Sequence, residues 1–164
     1  MKYVLGMTAA LTLSLAVAPP ASAEPDFATV TLTKVSGWSG PAGGTWTTRG
    51  GTSGRQKFDL VVTNVVGHDE QGLSVFISFP IDRLEVTGYE GDGWDCWDVA
   101  GGPGAEGVEC TQDHLIVHEE AWPTLTVETR AGSIHTQDSI DVYAEAGGHD
   151  AVHAGQSFLI DTST

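Results

Sequence analysis

Gly72 to Phe79 reads GLSVFISF, and Pro80 follows it. Leu73, Val75, Ile77 and Phe79 fall on one side of an extended chain, with Ser74 and Ser78 on the other. Apolar residues at period two mark a strand with one face in a core and one toward water. Pro80 has no amide proton to give to a ladder, so the strand ends there.

The same period runs outward in both directions. Upstream, Phe58 to Val65 (FDLVVTNV) places Phe58, Leu60 and Val62 on one face, and Phe27 to Val35 (FATVTLTKV) has the Thr and Val content of a strand. Downstream, Leu84 to Tyr89, Val108 to Thr111, Leu115 to Val117, Leu125 to Thr129, Ser139 to Ala144 and Ser157 to Ile160 read as further short strands. Gly101-Gly102-Pro103-Gly104 reads as a turn before the second cysteine. Residues 36–56 are rich in Gly, Ser and Thr and read as a long loop, a length that signals either a functional loop or a hidden strand pair. No stretch has helical periodicity bounded by caps. About seven to eight strands separated by turns predict an all-β fold, an antiparallel β-sandwich.

Composition fits this reading. Gly makes up 21 of 164 residues, which suits a turn-rich chain and disfavours a helical bundle. The formal net charge is −15, from 7 Lys+Arg against 22 Asp+Glu. Phosphate contacts need a basic surface, so nucleic acid is excluded as an electrostatic partner. Anionic membrane surfaces are disfavoured for the same reason.

The first 23 residues read as a signal peptide. Lys2 gives the positive start, residues 4–18 the apolar run, and Ala21-Ser22-Ala23 the small-x-small cleavage site. The expected mature product is one domain, residues 24–164, secreted, with no membrane insertion after cleavage. Export makes Cys96 and Cys110, the only two cysteines, a disulfide pair. A structural zinc site would need further ligands at CxxC or CxxH spacing.

Catalytic signatures are missing. There is no GxSxG elbow and no phosphate-binding glycine loop, and in His118-Glu119 the start of an HExxH motif meets Trp122 where the second His belongs. Three constellations are candidates for binding instead. Glu90, Asp92, Asp95 and Asp98 in EGDGWDCWD bring carboxylates to a flexible loop that could wrap calcium, although the spacing matches no EF-hand and a solvated acidic loop is the plainer reading. His149, Asp150 and His153 in GGHDAVHAG could hold a transition metal or be ordinary loop residues. Trp38 and Trp46 in the glycine-rich loop could stack on sugar rings of a cell-wall glycan or contact a protein, whereas Trp122 reads as core.

The order of these pieces resembles a bacterial family, the immunoglobulin-like conserved-repeat domain of secreted and surface proteins (domain of unknown function eleven). The matching pieces are Thr63-Asn64, the strand Leu73 to Pro80, Gly93-Trp94-Asp95-Cys96, Cys110-Thr111 and Leu125 to Thr129, all within residues 56–146. Where that family usually has Leu-Pro-x-Gly, this chain has Phe79-Pro80-Ile81-Asp82. The resemblance implies an immunoglobulin-like sandwich that serves as a spacer or adhesive module and carries no catalytic residues. The expected function is therefore a non-enzymatic structural or interaction module of the bacterial envelope or medium. The alternative is a carbohydrate-binding module using Trp38 and Trp46 with calcium.

Overall fold

The computed structural model describes residues 26–51, 54–80, 82–100 and 106–163. The expected signal peptide and the 101–104 turn lie outside the described residues. Among the described residues there are ten strands: β1 (Ala28–Ser36), β2 (Trp46–Arg49), β3 (Arg55–Asn64), β4 (Leu73–Ser78), β5 (Leu84–Glu90), β6 (Trp94–Val99), β7 (Gly107–Gln112), β8 (Leu125–Ala131), β9 (Thr136–Glu145) and β10 (Val152–Asp161). They form two sheets, one in the order β1-β3-β8-β5 and one in the order β2-β10-β9-β4-β7-β6. The all-β sandwich with a Cys96–Cys110 disulfide is the architecture the alternation predicts.

The two sheets bury the residues that the period marks. Phe58, Leu60 and Val62 of β3 and Leu125 and Val127 of β8 face Leu73, Val75 and Ile77 of β4 and Ile140, Val142 and Ala144 of β9. Each is almost completely removed from water, and that burial is the main force holding the two layers together. Among the described residues no helix is long and apolar enough to cross a membrane.

Two strands escape the sequence reading, and one predicted strand shrinks. β2 lies inside the expected 36–56 loop and pairs parallel with β10, the one parallel pair in an otherwise antiparallel fold. Parallel neighbours need a long connection, and β2 and β10 come from opposite ends of the chain. Glycines hide β2 because the backbone crowds there. At Gly40, with φ of 101°, a Cβ would sit 2.4 Å from the Thr45 carbonyl oxygen. β6 is hidden by its mixed Trp, Asp and Cys content. The short strand expected at 115–117 is a single bridge from Ile116 to Glu70.

Candidate functional site

The exposed face of the six-stranded sheet carries the feature that stands out. Register places Trp97 opposite Glu109, Glu109 opposite Phe76, Phe76 opposite Tyr143 and Tyr143 opposite His153. One row of side chains thus crosses β6, β7, β4, β9 and β10. Alternation sends the neighbours Cys96, Val75, Val142 and Cys110 inward, so this row points out. Trp97 is 42% exposed and Tyr143 is 40% exposed. The rings form a ladder: Phe76 and Tyr143 stack with centroids 6.4 Å apart, and Tyr143 and His153 with centroids 4.8 Å apart.

Small residues flank the row. Ser74 and Thr111 lie on one side, and Ser78, Gly107 and Gly155 on the other. Charge is one-sided. Asp95, Glu109, Asp141 and Glu145 stand on this face, and β4, β6, β7, β9 and β10 contain no Lys or Arg. Of these acids, Asp141 meets the His153 Nε2 at 2.8 Å.

The four-stranded sheet differs, because it carries cations that pair with two of its acids, Glu128 and Glu85. Glu128 pairs with Arg55 and with Lys57 (3.0 Å), Glu85 with Arg130, and Asp59 accepts a hydrogen bond from the Thr126 hydroxyl at 2.6 Å. Hydrogen bonds from Lys57 and then Arg55 hold the Glu128 carboxyl below the usual glutamate range. A depressed folded-state value stabilises the fold above the unfolded-state value, and that contribution is lost as pH falls through the folded one. In urea titrations, Glu128→Gln is therefore expected to flatten the fall in stability on the acid side of the ordinary glutamate range. High salt should shrink the difference between variant and parent. An unchanged acid limb in the variant would show that Glu128 carries no such linkage.

The residues singled out in the sequence are placed as follows. Trp46 is 2% exposed and packs among Trp38, Phe58 and the inner face, so it offers no open ring to a sugar. Its ring is tilted 49° to that of Trp38, and the two do not make a common flat platform. Trp38 is half-buried, also packs on Phe158, and lines an open cleft of about 380 Å³ with Arg49, Arg55 and Gln56. The reason for this correction is β2, which turns the expected loop into a core-facing strand.

The four acids of EGDGWDCWD also separate. Glu90 borders the Arg55–Lys57–Glu128 surface, and Asp92 sits in the turn where its carbonyl accepts from Gln112 Nε2 at 2.7 Å. Asp95 and Asp98 lie on opposite faces of β6, because three residues of extended chain reverse the side. Asp98 borders a cleft with Phe79 and Val86 between the sheets. Four carboxylates on different faces do not converge on a calcium ion.

His149 and His153 part company as well. His153 belongs to the aromatic row, whereas His149 turns to the buried Glu70 at 2.9 Å, and His68 meets the same Glu70 oxygen at 2.7 Å. Among the described residues this trio is the one cluster of three His, Cys, Asp or Glu side chains whose ligand atoms converge. Sequence reasoning found one of its three members. His68 and Glu70 lie 79 or more positions from His149, and only the fold brings them together. The aromatic row was equally hidden, since its four rings come from four strands.

No family model matches the chain, and no curated protein matches it, so the conserved-repeat family of the sequence resemblance gains no support beyond the sandwich fold. Solved structures do share the fold. A non-cellulosomal cohesin from the hyperthermophilic archaeon Archaeoglobus fulgidus aligns with 13% identity and a TM-score of 0.51, over 81% of this chain and 91% of the cohesin. A cohesin module from a Clostridium perfringens family 33 glycoside hydrolase aligns with 8% identity and a TM-score of 0.54, over 84% of this chain and 98% of the module. At these identities the likeness is one of fold: this chain shares the β-sandwich fold of these two cohesin modules.

Proposed function

We propose that the protein is an exported, non-enzymatic interaction module that docks a basic protein surface on the outer face of the six-stranded sheet. The observation that carries this reading is the row Trp97–Phe76–Tyr143–His153, half-exposed on a face that is acidic and, along five strands, free of Lys and Arg. Aromatic side chains supply large, rigid contact area at low entropic cost, and Trp and Tyr dominate binding hot spots. Lys and Arg of a partner gain from both the ring faces and the surrounding carboxylates. The signal-peptide reading of residues 1–23 and the disulfide favour an extracellular setting. The absence of catalytic motifs in the sequence and the kinship of fold with cohesin modules favour binding over chemistry.

The test compares the parent chain, Trp97→Ala, Tyr143→Ala and the double variant in binding to the bacterial envelope and medium proteins, with cell-wall glycan as a separate arm. Both rings are exposed enough that each single change should leave the melting temperature nearly unmoved. Loss of a central aromatic anchor typically costs about 2 kcal/mol, or roughly thirtyfold in Kd. Binding of a basic protein should weaken by that factor in each variant and fall further with salt, and Arg130→Ala on the opposite sheet should leave it intact. Binding of glycan alone, or protein binding indifferent to both rings, would overturn the reading.

A further inference from the structure

We propose that His68, Glu70 and His149 form a binding site for one transition-metal ion of the zinc class. The Nε2 atoms of His68 and His149 lie 2.7 and 2.9 Å from the same Glu70 Oε1, and one donor atom from each of the three residues lies within 4.8 Å of the others. Zinc bound by nitrogen and oxygen at about 2.0–2.2 Å in a tetrahedral shell needs donors roughly 3.3 Å apart. Each imidazole nitrogen thus has to draw back from the carboxylate oxygen by about 0.4–0.6 Å to admit an ion.

The buried carboxylate is the second argument. The Glu70 side chain is 6% exposed, and among the described residues its ion-pair partners are the two imidazoles. A buried carboxylate is costly unless a positive charge meets it. Two imidazoles supply that charge only when protonated. A divalent ion supplies it outright, through the same lone pairs.

The surroundings hold each donor in place, as metal sites require of their supporting shell. The Glu70 backbone is bridged to Ile116 in both directions, at 2.9 and 2.8 Å. The His149 ring stacks on Phe27, with centroids 5.4 Å apart and planes 15° from parallel. The His68 carbonyl accepts from Asn64 Nδ2 at 2.9 Å. Gly147 has φ of 58°, and a Cβ there would stand 2.4 Å from Glu70 Oε2, so the turn before His149 is cut back where the carboxylate lies.

Donor chemistry selects the ion. Two imidazoles and one carboxylate suit zinc, copper or nickel, whereas calcium and magnesium take oxygen ligands. Three protein ligands leave a fourth position, and His68, with its side chain 64% exposed, leaves that position open to water. Bound metal would join the β3–β4 connection to the β9–β10 turn.

The test is titration of the full chain, free of any histidine tag, with zinc chloride by calorimetry and with cobalt by visible absorption. Expected are one ion per chain, cobalt bands of a low-symmetry four-coordinate site, a melting temperature that rises with zinc, and no competition by calcium. Loss of a supporting partner costs metal sites 10- to 100-fold, so loss of a ligand in His68→Ala or His149→Ala should weaken binding by at least about a hundredfold. His153→Ala should bind like the parent. His68 is mostly exposed, so its variant is expected to fold, which circular dichroism checks. Absence of saturable zinc or cobalt binding by the parent would overturn the site. So would binding that survives both His68→Ala and His149→Ala.

Discussion

Trp122→Ala is expected to lower the unfolding free energy by about 3–5 kcal/mol, as removal of a large buried aromatic does. Trp122 is 1% exposed and belongs to the core cluster. Its indole N–H donates to the His114 carbonyl at 3.3 Å, and its backbone N–H to Val62 at 3.0 Å. Alanine leaves both a cavity and an unpaired carbonyl. The segment it anchors, residues 115–122, closes the end of β3: Asn64 donates its backbone N–H to Glu120 and accepts from Glu119, and its buried side-chain amide reaches Ile116. The same amide holds the His68 carbonyl. Loosening Trp122 should therefore weaken zinc binding as well as stability. A single domain has only about 5–15 kcal/mol to lose, so a urea titration resolves the effect easily. Trp97→Ala, on the exposed face, is the matched control and should shift stability by no more than about 0.5 kcal/mol. Equal effects of the two substitutions would contradict the division of these tryptophans into core and surface.

That division shows where the sequence could be read and where it could not. Alternation is a local property, so β3, β4, β8 and β9 were legible: Leu73, Val75 and Ile77 can be assigned a common face without knowing what they touch. Trp122 reads as core, and it is 1% exposed. Trp46 misled because its setting, TW between glycines, looks like loop. Gly40 and Gly50 let the backbone pass close to its neighbours, and the strand partner that buries Trp46, β10, lies more than a hundred residues away. The site residues failed for the same reason. Glu90, Asp92, Asp95 and Asp98 are close in sequence, yet extended geometry distributes them over different faces. His149 is 79 positions from Glu70, and no local pattern joins it to His68 and Glu70. A cluster assembled across sheet order is visible only once register is known, and register depends on long-range pairing. The one local hint was Glu70 itself, an acid two residues from a His.

Removal of the disulfide, by Cys96→Ala with Cys110→Ala, is expected to cost about 2–5 kcal/mol, close to the roughly 3 kcal/mol that a loop of this length represents in chain entropy. The cysteines are 14 positions apart and sit directly opposite each other in the β6–β7 ladder. Alanine is the better replacement, since Cys110 is fully buried and a serine hydroxyl there would lack a guaranteed partner. The consequence is not uniform across the molecule. β6 is an edge strand whose only neighbour in the sheet is β7, whereas β7 is also held by β4. Without the bond, β6 keeps its ladder with β7 and, at its start, the Trp94 indole N–H donated to the Pro123 carbonyl at 2.7 Å, and edge pairing is the first to open in local unfolding. Trp97 rides on β6, so the end of the aromatic row should lose order before the core does. The expected signature is a change in hydrogen exchange confined to residues 94–99 under mild reduction, with weakened partner binding, while Trp122 and the zinc-binding trio at the other connections remain protected. Uniform loss of protection across both sheets would mean that the bond holds the sandwich as a whole. A reduced protein that binds its partner as before would mean either that the β7 ladder and the Trp94 hydrogen bond to Pro123 are enough to hold Trp97 in the docking face or that Trp97 is not part of that face, and the binding of Trp97→Ala tells the two apart.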